Sequence, residues 1–113
     1  MKTENIEIEH SNGMIKEYTI LIGENANDNE KIIKISSQNS IWMHFENVSG
    51  PHLILQNNGD DIPKRYLNNV ASRLFKYKQK VGNQNIIYTN VGNLKLTNTP
   101  GKVITKNTKI IRF

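Results

Sequence analysis

Three ring side chains lie close together in the sequence, and their types and spacing suit nucleic-acid chemistry. Trp42 and His44 are two positions apart in the apolar segment Ile41–Phe45, and His52 follows a turn. If this segment is a strand, Trp42 and His44 share a face because side chains alternate along a strand. A hairpin would bring His52 beside them. The rings predict either a platform that stacks on an unpaired base and contacts phosphate, or a buried cluster whose polar atoms are satisfied internally.

The residue inventory gives little support to other catalytic or metal-binding chemistry. The chain contains no cysteine, which excludes disulfide scaffolds, thiolate nucleophiles, iron–sulfur clusters and cysteine-ligated zinc. Its three histidines are not at the helical spacing of a metal site, and it has no glycine-rich phosphate loop or nucleophile elbow. We therefore expect no metal, no cofactor and no enzymatic activity. The residue types leave one enzyme class as an alternative, a histidine-dependent ribonuclease that uses general acid–base catalysis.

Charge is distributed unevenly along the 113 residues. Residues 1–61 contain four lysines and all ten acidic residues, which gives a formal charge of −6. Residues 62–113 contain eight lysines and three arginines without an acid, which gives +11. An ordinary soluble surface intersperses both signs, so the acid-free half predicts binding to a polyanion, with RNA favoured over DNA or an anionic membrane. A docking surface for an acidic protein is an alternative.

Many of the basic residues fall in one predicted helix, which extends over residues 63–81. Pro63 suits its first turn and Gly82 its C-terminal end. At 100° per residue, one side is apolar and predicted to face the core; it contains Leu67, Val70, Ala71, Leu74, Tyr77 and Val81. The opposite side contains Arg65, Asn69, Arg73, Lys76 and Lys80. The four cations among these residues extend over roughly 22 Å, which is enough to follow several phosphates of a nucleic acid.

The other segments predict short strands and one short helix. Alternation over Ile6–Glu9 and the turn dipeptide Asn12-Gly13 predict an N-terminal hairpin over residues 5–22. Asn27 or Asp28 is predicted to cap the short helix that follows.

Strands, a helix and further strands predict a single α+β domain. We expect a mainly antiparallel sheet packed against one long central helix plus a short helix. No apolar run approaches the roughly 20 residues of a membrane span, and the first ten residues do not have the pattern of a signal peptide. We therefore expect a cytoplasmic protein.

Three segments taken together resemble the NFACT-R domain, the RNA-binding module of NFACT proteins in ribosome-associated quality control and of small stand-alone relatives. Gly23–Glu30 (GENANDNE) is similar to the family's Gly-Arg-Asn-Ala segment followed by Asn and an acid. Ile41–His44 (IWMH) and Val48–Leu55 (VSGPHLIL) are similar to its Asp-x-Trp-Phe-His strand and Pro-Gly-Ser-His-Val turn. The third segment is the basic helix, followed by Asn85–Thr89 and Pro100–Val103.

The resemblance implies a non-catalytic module for structured RNA such as tRNA or rRNA, with the ribosome among its partners. A DNA-binding or nucleic-acid-sensing module is the alternative. The residues assigned to the interface are Trp42, His44, His52, Lys64, Arg65, Arg73, Lys76, Lys80, Lys95 and Lys102. Gly50 is assigned to the tight turn before His52, and Lys78 adds to the positive field from the core side of the helix. Glu24 replaces the family's arginine, which removes one expected phosphate contact.

Overall fold

The computed structural model describes residues 1–78, 82 and 84–113 of the chain. The strands are β1 (Lys2–Glu9), β2 (Ile15–Ile22), β3 (Ile41–Phe45), β4 (Leu53–Gln56), β5 (Ile86–Asn90), β6 (Leu94–Leu96), β7 (Val103–Thr105) and β8 (Lys109–Ile111). The helices are α1 (Ala26–Ile35) and α2 (Lys64–Ser72), and short 3₁₀ helices cover Arg73–Lys76 and Val91–Asn93. The expected α+β fold with a mainly antiparallel sheet is confirmed.

Six strands form one antiparallel sheet in the order β1-β2-β4-β3-β5-β8, and β6 pairs with β7 in a separate two-stranded sheet. β1 and β2 form the N-terminal hairpin, in which Ile6 and Ile8 face the core at alternate positions. Gly13 in its turn has a φ of 83°, a left-handed conformation that glycine adopts without steric cost. The central strands β3 and β4 pair so that Trp42 lies opposite Ile54.

One face of the sheet is covered by α2. Val70, Ala71 and Leu74 are fully buried on this face, as the helical periodicity predicts. They pack in one cluster with Met43 and Phe45 of β3. Burial of a large apolar side chain contributes roughly 1.5–3 kcal/mol, so this cluster is a main source of the fold's stability.

The opposite face of the sheet is covered by α1 and by the β6–β7 hairpin. Ile32 and Ile33 of α1 pack with Trp42 and Ile54, and residues of the hairpin pack against the same cluster. Because Trp42 alternates with Met43 along β3, it points away from α2. The predicted ring cluster and the predicted basic helix are therefore on opposite faces of the sheet.

The long central helix expected over residues 63–81 is not found, because the helical segment is shorter. It consists of nine residues of α-helix followed by four of 3₁₀ helix, and it ends at Lys76. Beyond that point Tyr77 donates to the Glu4 carboxylate and Lys78 donates to the Ser49 carbonyl. These tertiary contacts draw the chain off the helical path, and the predicted end of the helix lies outside the described residues. Neither helix in the described ranges is long and apolar enough to cross a membrane.

The short helix α1 begins earlier than the sequence suggested. Asn25 is its N-cap, and its Oδ1 accepts a hydrogen bond of 2.9 Å from the Asp28 amide. The prediction of Asn27 or Asp28 as the cap is therefore wrong. The Asp28 carboxylate instead lies 2.8 Å from the Met1 ammonium group. Asn25 is also one of the residues that line the candidate site described below.

Candidate nucleic-acid interface

A cleft of about 770 Å³ opens at the end of the sheet where β3 ends and β4 begins. Trp42, His44 and His52 lie at its base. The turn segment Ser49–Pro51, the start of α1 and the segment Pro100–Val103 also line it. The volume is within the range of roughly 300–1,000 Å³ that is usual for small-ligand sites. The cleft therefore brings together three parts of the chain that are distant in sequence.

The three rings at the base of the cleft form a single packed cluster. The ring of His44 is nearly parallel to that of Trp42, with centroids 5.7 Å apart and planes at 11°. His52 packs edge-on against both, at 5.3 Å from Trp42 and 4.9 Å from His44. Trp42 is 1% exposed and His52 is 4% exposed, whereas His44 is half-buried. Of the two alternatives, the buried cluster is therefore the one found, and His44 is the ring of this cluster that remains accessible.

The hydrogen bonds of the cluster fix the protonation of His52. Trp42 Nε1–H donates to His52 Nδ1 over 3.0 Å, so that nitrogen carries no proton and the neutral ring holds its proton on Nε2. Burial, reinforced by the neighbouring His44, lowers the pKa of His52 to about 3. Burial also lowers the pKa of His44, with backbone hydrogen bonds to Phe45 and Gly50 acting in the opposite direction and Lys78 lowering it further. Both imidazoles are consequently neutral at physiological pH.

Asn29 of α1 holds the turn that carries His52. The residue is buried, its Oδ1 accepts from the His52 amide over 3.0 Å, and its Nδ2 donates to the Gly50 carbonyl over 3.4 Å. Gly50 lies in the turn before His52, and it is not among the glycines with positive φ. A Cβ there would lie 3.1 Å from Lys78 Cδ and 3.2 Å from Phe45 Cδ2. The missing Cβ therefore lets the turn pass close to these two side chains.

Two lysines and one glutamate are at the mouth of the cleft. Lys78 and Lys102 are both lining residues, and Lys102 is exposed. Glu24 lines the same mouth and is also exposed. Its carboxylate lies 2.8 Å from the Met1 ammonium group, which offsets part of its negative charge. The mouth therefore combines two cations with an acid at the position where the NFACT-R pattern has arginine.

The basic residues at the end of the helical segment are ion-paired within the protein. Arg73 Nη1 lies 2.7 Å from the Glu4 carboxylate, and Lys76 Nζ lies 3.4 Å from it. The hydrogen bond from Tyr77, and then the contacts of Arg73 and Lys76, lower the pKa of Glu4. Glu4 thus stays ionised at neutral pH. Its negative charge partly neutralises Arg73 and Lys76, two of the cations on the predicted basic side of the helix.

Three further predicted cations, Lys64, Arg65 and Lys95, are not at the cleft. Lys64 and Arg65 begin α2, on the other face of the sheet, and the Arg65 guanidinium lies 4.8 Å from the Tyr66 ring centroid. Lys95 is exposed opposite the exposed Ile104, on the outer side of the β6–β7 hairpin. Lys80 lies outside the described residues. The structure consequently brings Lys102 together with the three rings, and it does not bring Lys64, Arg65 or Lys95 there.

Sequence reasoning missed several residues that build the cleft. No role is predicted from the sequence for Asn25 or Asn29, although Asn25 caps α1 and Asn29 holds the turn. Lys78 was assigned to the core side of a helix that does not extend so far. The available signal was the motif Gly-x-Asn-Ala of Gly23–Ala26, which marks a helix start beside a close backbone approach.

We expect Trp42→Phe to destabilise the protein by about 2–4 kcal/mol. The substitution leaves a cavity and removes the partner of the buried His52 Nδ1. Urea unfolding monitored by circular dichroism measures the change. The double variant Trp42→Phe/His52→Leu should cost less than the sum of the two single variants, because it removes both ends of the hydrogen bond. Strict additivity would contradict the direct Trp42–His52 interaction.

Comparisons with known proteins identify the fold and similar proteins. A solved structure of the C-terminal part of the fibronectin/fibrinogen-binding protein from Streptococcus suis superposes with a TM-score of 0.74 at 18% identity, covering 94% of this chain and 44% of that one. This similarity establishes the fold. Coiled-coil domain-containing protein 25 of Bos taurus is 36% identical, and that of Mus musculus is 35% identical. Each match covers 71% of this chain and 42% of the relative, so the chain spans less than half the length of these relatives.

The family comparison covers nearly the whole chain. Residues 8–112 match the family model described as the NFACT protein RNA binding domain. The match includes the strands, the turn and the helix starts that form the cleft. The chain therefore belongs to the NFACT RNA-binding domain family.

Proposed function

We propose that this protein is a non-catalytic RNA-binding module that uses the cleft and its lysines to hold structured RNA such as tRNA or rRNA. We place its action in the cytoplasm, in a ribosome-associated context. The observation that carries the proposal is the cleft itself, in which Lys78 and Lys102 flank the cluster of Trp42, His44 and His52. Lysines that neutralise phosphates position a nucleic acid with little dependence on its sequence.

The state of the histidines supports binding rather than catalysis. A general acid or base works best when its pKa is near the operating pH. Burial holds the pKa of His52 at about 3, and its Nδ1 is occupied by Trp42. The pKa of His44 is also lowered. Neither ring is tuned for the ribonuclease reaction, whereas neutral rings suit stacking against bases.

Fluorescence anisotropy with a labelled RNA hairpin tests the proposal directly. Two to four phosphate contacts should give a log–log dependence of affinity on salt with a slope of about −1.4 to −2.8 for unpaired RNA. A DNA hairpin of the same sequence should bind more weakly. Equal or tighter DNA binding would favour the alternative of a DNA-binding module. An affinity that does not change with salt would favour docking on an acidic protein.

Glu24→Arg should raise the affinity for RNA roughly 25-fold at 0.1 M salt. The change adds two positive charges at the mouth of the cleft, and each phosphate contact is worth roughly fivefold at that salt concentration. Glu17→Arg is the matched control, because Glu17 is exposed on β2 away from the cleft. An equal gain from both variants would show that net charge, rather than the cleft, determines binding.

A further inference from the structure

We infer that the cleft accepts one unpaired nucleotide, with its base inside and its phosphate at the mouth, from a loop, bulge or end of the RNA. The inference rests on the proposed RNA-binding function and adds the kind of RNA element that is recognised. It follows from the shape of the cleft, the chemistry of its lining and the position of its lysines.

The shape of the cleft favours a protruding base over a helical surface. The site is a recess of about 770 Å³ whose lining includes the turn Ser49–Pro51 and the segment Pro100–Val103. Double-stranded RNA presents phosphates and a wide, shallow minor groove, while its deep major groove is too narrow to admit side chains. A paired base therefore cannot enter such a recess. A base in a loop or at an end is free to do so.

The lining favours stacking over hydrogen bonding to base edges. His44 is the accessible ring, and it lies over the buried Trp42 in a nearly parallel arrangement. Ile87 and Val103 add apolar surface beside it. The side chain of Asn29 already makes two hydrogen bonds within the protein. Its oxygen accepts from the His52 backbone N–H, and its nitrogen donates to the Gly50 carbonyl. The cleft thus stacks on a base through a neutral ring while reading little of its identity.

Two lysines among the residues that line the cleft supply positive charge for the backbone of such a nucleotide. The Lys78 ammonium group donates to the Ser49 carbonyl, which leaves two further N–H groups on the same nitrogen. Lys102 lines the cleft as well and is exposed. We expect these two lysines to contact the phosphates next to the inserted base.

Binding of three RNA probes tests the inference in the full chain. The probes are an eight-nucleotide single strand, the same strand annealed to its complement with blunt ends, and the same strand displayed as a hairpin loop. We expect the single strand and the loop to bind at least tenfold more tightly than the duplex. Trp42 is the one tryptophan in the sequence, so its indole N–H resonance is a specific reporter of events at the base of the cleft. It should shift with the single strand and with the loop, and not with the duplex.

Matched variants distinguish binding in the cleft from an effect of the protein's net charge. Lys102→Glu should weaken single-strand binding roughly 25-fold at 0.1 M salt, whereas Lys95→Glu on the outer side of the same hairpin should change it less than threefold. His44→Ala should weaken binding about fivefold to hundredfold through lost stacking, and His44→Phe should retain it because the aromatic ring is kept.

The outcomes distinguish this inference from the proposed function. Tight duplex binding with an unchanged indole resonance would overturn the inference and leave RNA binding standing. Equal effects of Lys102→Glu and Lys95→Glu would also overturn it. Failure of all three probes to bind would overturn the proposed function and the inference together.

Discussion

Gly23→Ala is expected to destabilise the protein by about 2–6 kcal/mol and to abolish RNA binding. A Cβ at this position would lie 2.2 Å from Asn29 Oδ1 and 2.9 Å from the Asn29 amide nitrogen. The methyl group must push α1 away from the sheet, which costs roughly 1–3 kcal/mol as overpacking. It also displaces the acceptor of the buried His52 amide, which costs roughly 1–3 kcal/mol more. Native proteins are stable by roughly 5–15 kcal/mol, so the loss is large.

Urea unfolding of the variant measures this effect, and Gly13→Ala provides the control. Gly13 has a φ of 83° and nothing within 4 Å of an added Cβ, so its substitution strains the backbone without a clash. We expect a loss of about 1–2 kcal/mol there. A Gly23→Ala protein that is as stable as Gly13→Ala would show that α1 does not need to approach the end of β2 so closely.

Stability should also fall steeply as the pH is lowered from 7 to 5. The pKa of His52 is lowered from 6.5 to about 3 in the folded protein, so the unfolded chain binds more protons in this window. The free energy of unfolding has its full value above pH 6.5 as far as His52 is concerned, and it falls progressively as the pH is lowered toward 3. At pH 5, preferential protonation of His52 in the unfolded chain lowers the free energy of unfolding by about 2 kcal/mol. His44 adds to it, because its pKa is lowered as well.

Chemical denaturation at a series of pH values between 7 and 5 checks this prediction. The lowered pKa values of Glu4, Asp28 and Asp60 lie below the window, so their carboxylates remain ionised within it. His52→Gln keeps an acceptor for the Trp42 indole and removes the titrating ring, and its stability should vary much less with pH. A wild-type protein whose stability is constant from pH 7 to 5 would contradict the burial of a neutral His52.

Patterns of neighbouring residues were sufficient to predict those elements whose conformation depends on neighbouring residues alone. The alternation Ile6–Glu9 and the Asn-Gly turn predicted the first hairpin, because strand period and turn conformation are properties of neighbouring residues. The spacing of Trp42 and His44 placed both rings on one face of a strand for the same reason. The helical periodicity also identified Val70, Ala71 and Leu74 as core.

Features that depend on distant residues were not predictable in this way. The burial of Trp42 depends on α1 and on the β6–β7 hairpin, which cover that face of the sheet. The helix after Pro63 ends early because Tyr77 is drawn to Glu4, a residue 73 positions earlier in the chain. The Glu4 carboxylate also forms an ion pair with Arg73, which lowers the positive charge predicted for the basic side of the helix.

The lining of the cleft comes from segments between Glu24 and Thr105 that are distant in sequence and lie together in the folded chain. Recognition and cooperative folding are consequently linked by mass action. A ligand that binds the assembled chain at 100 times its dissociation constant would stabilise it by about 2.7 kcal/mol. The melting temperature is therefore itself a binding assay, and a partner that occupies the cleft also protects the protein from unfolding.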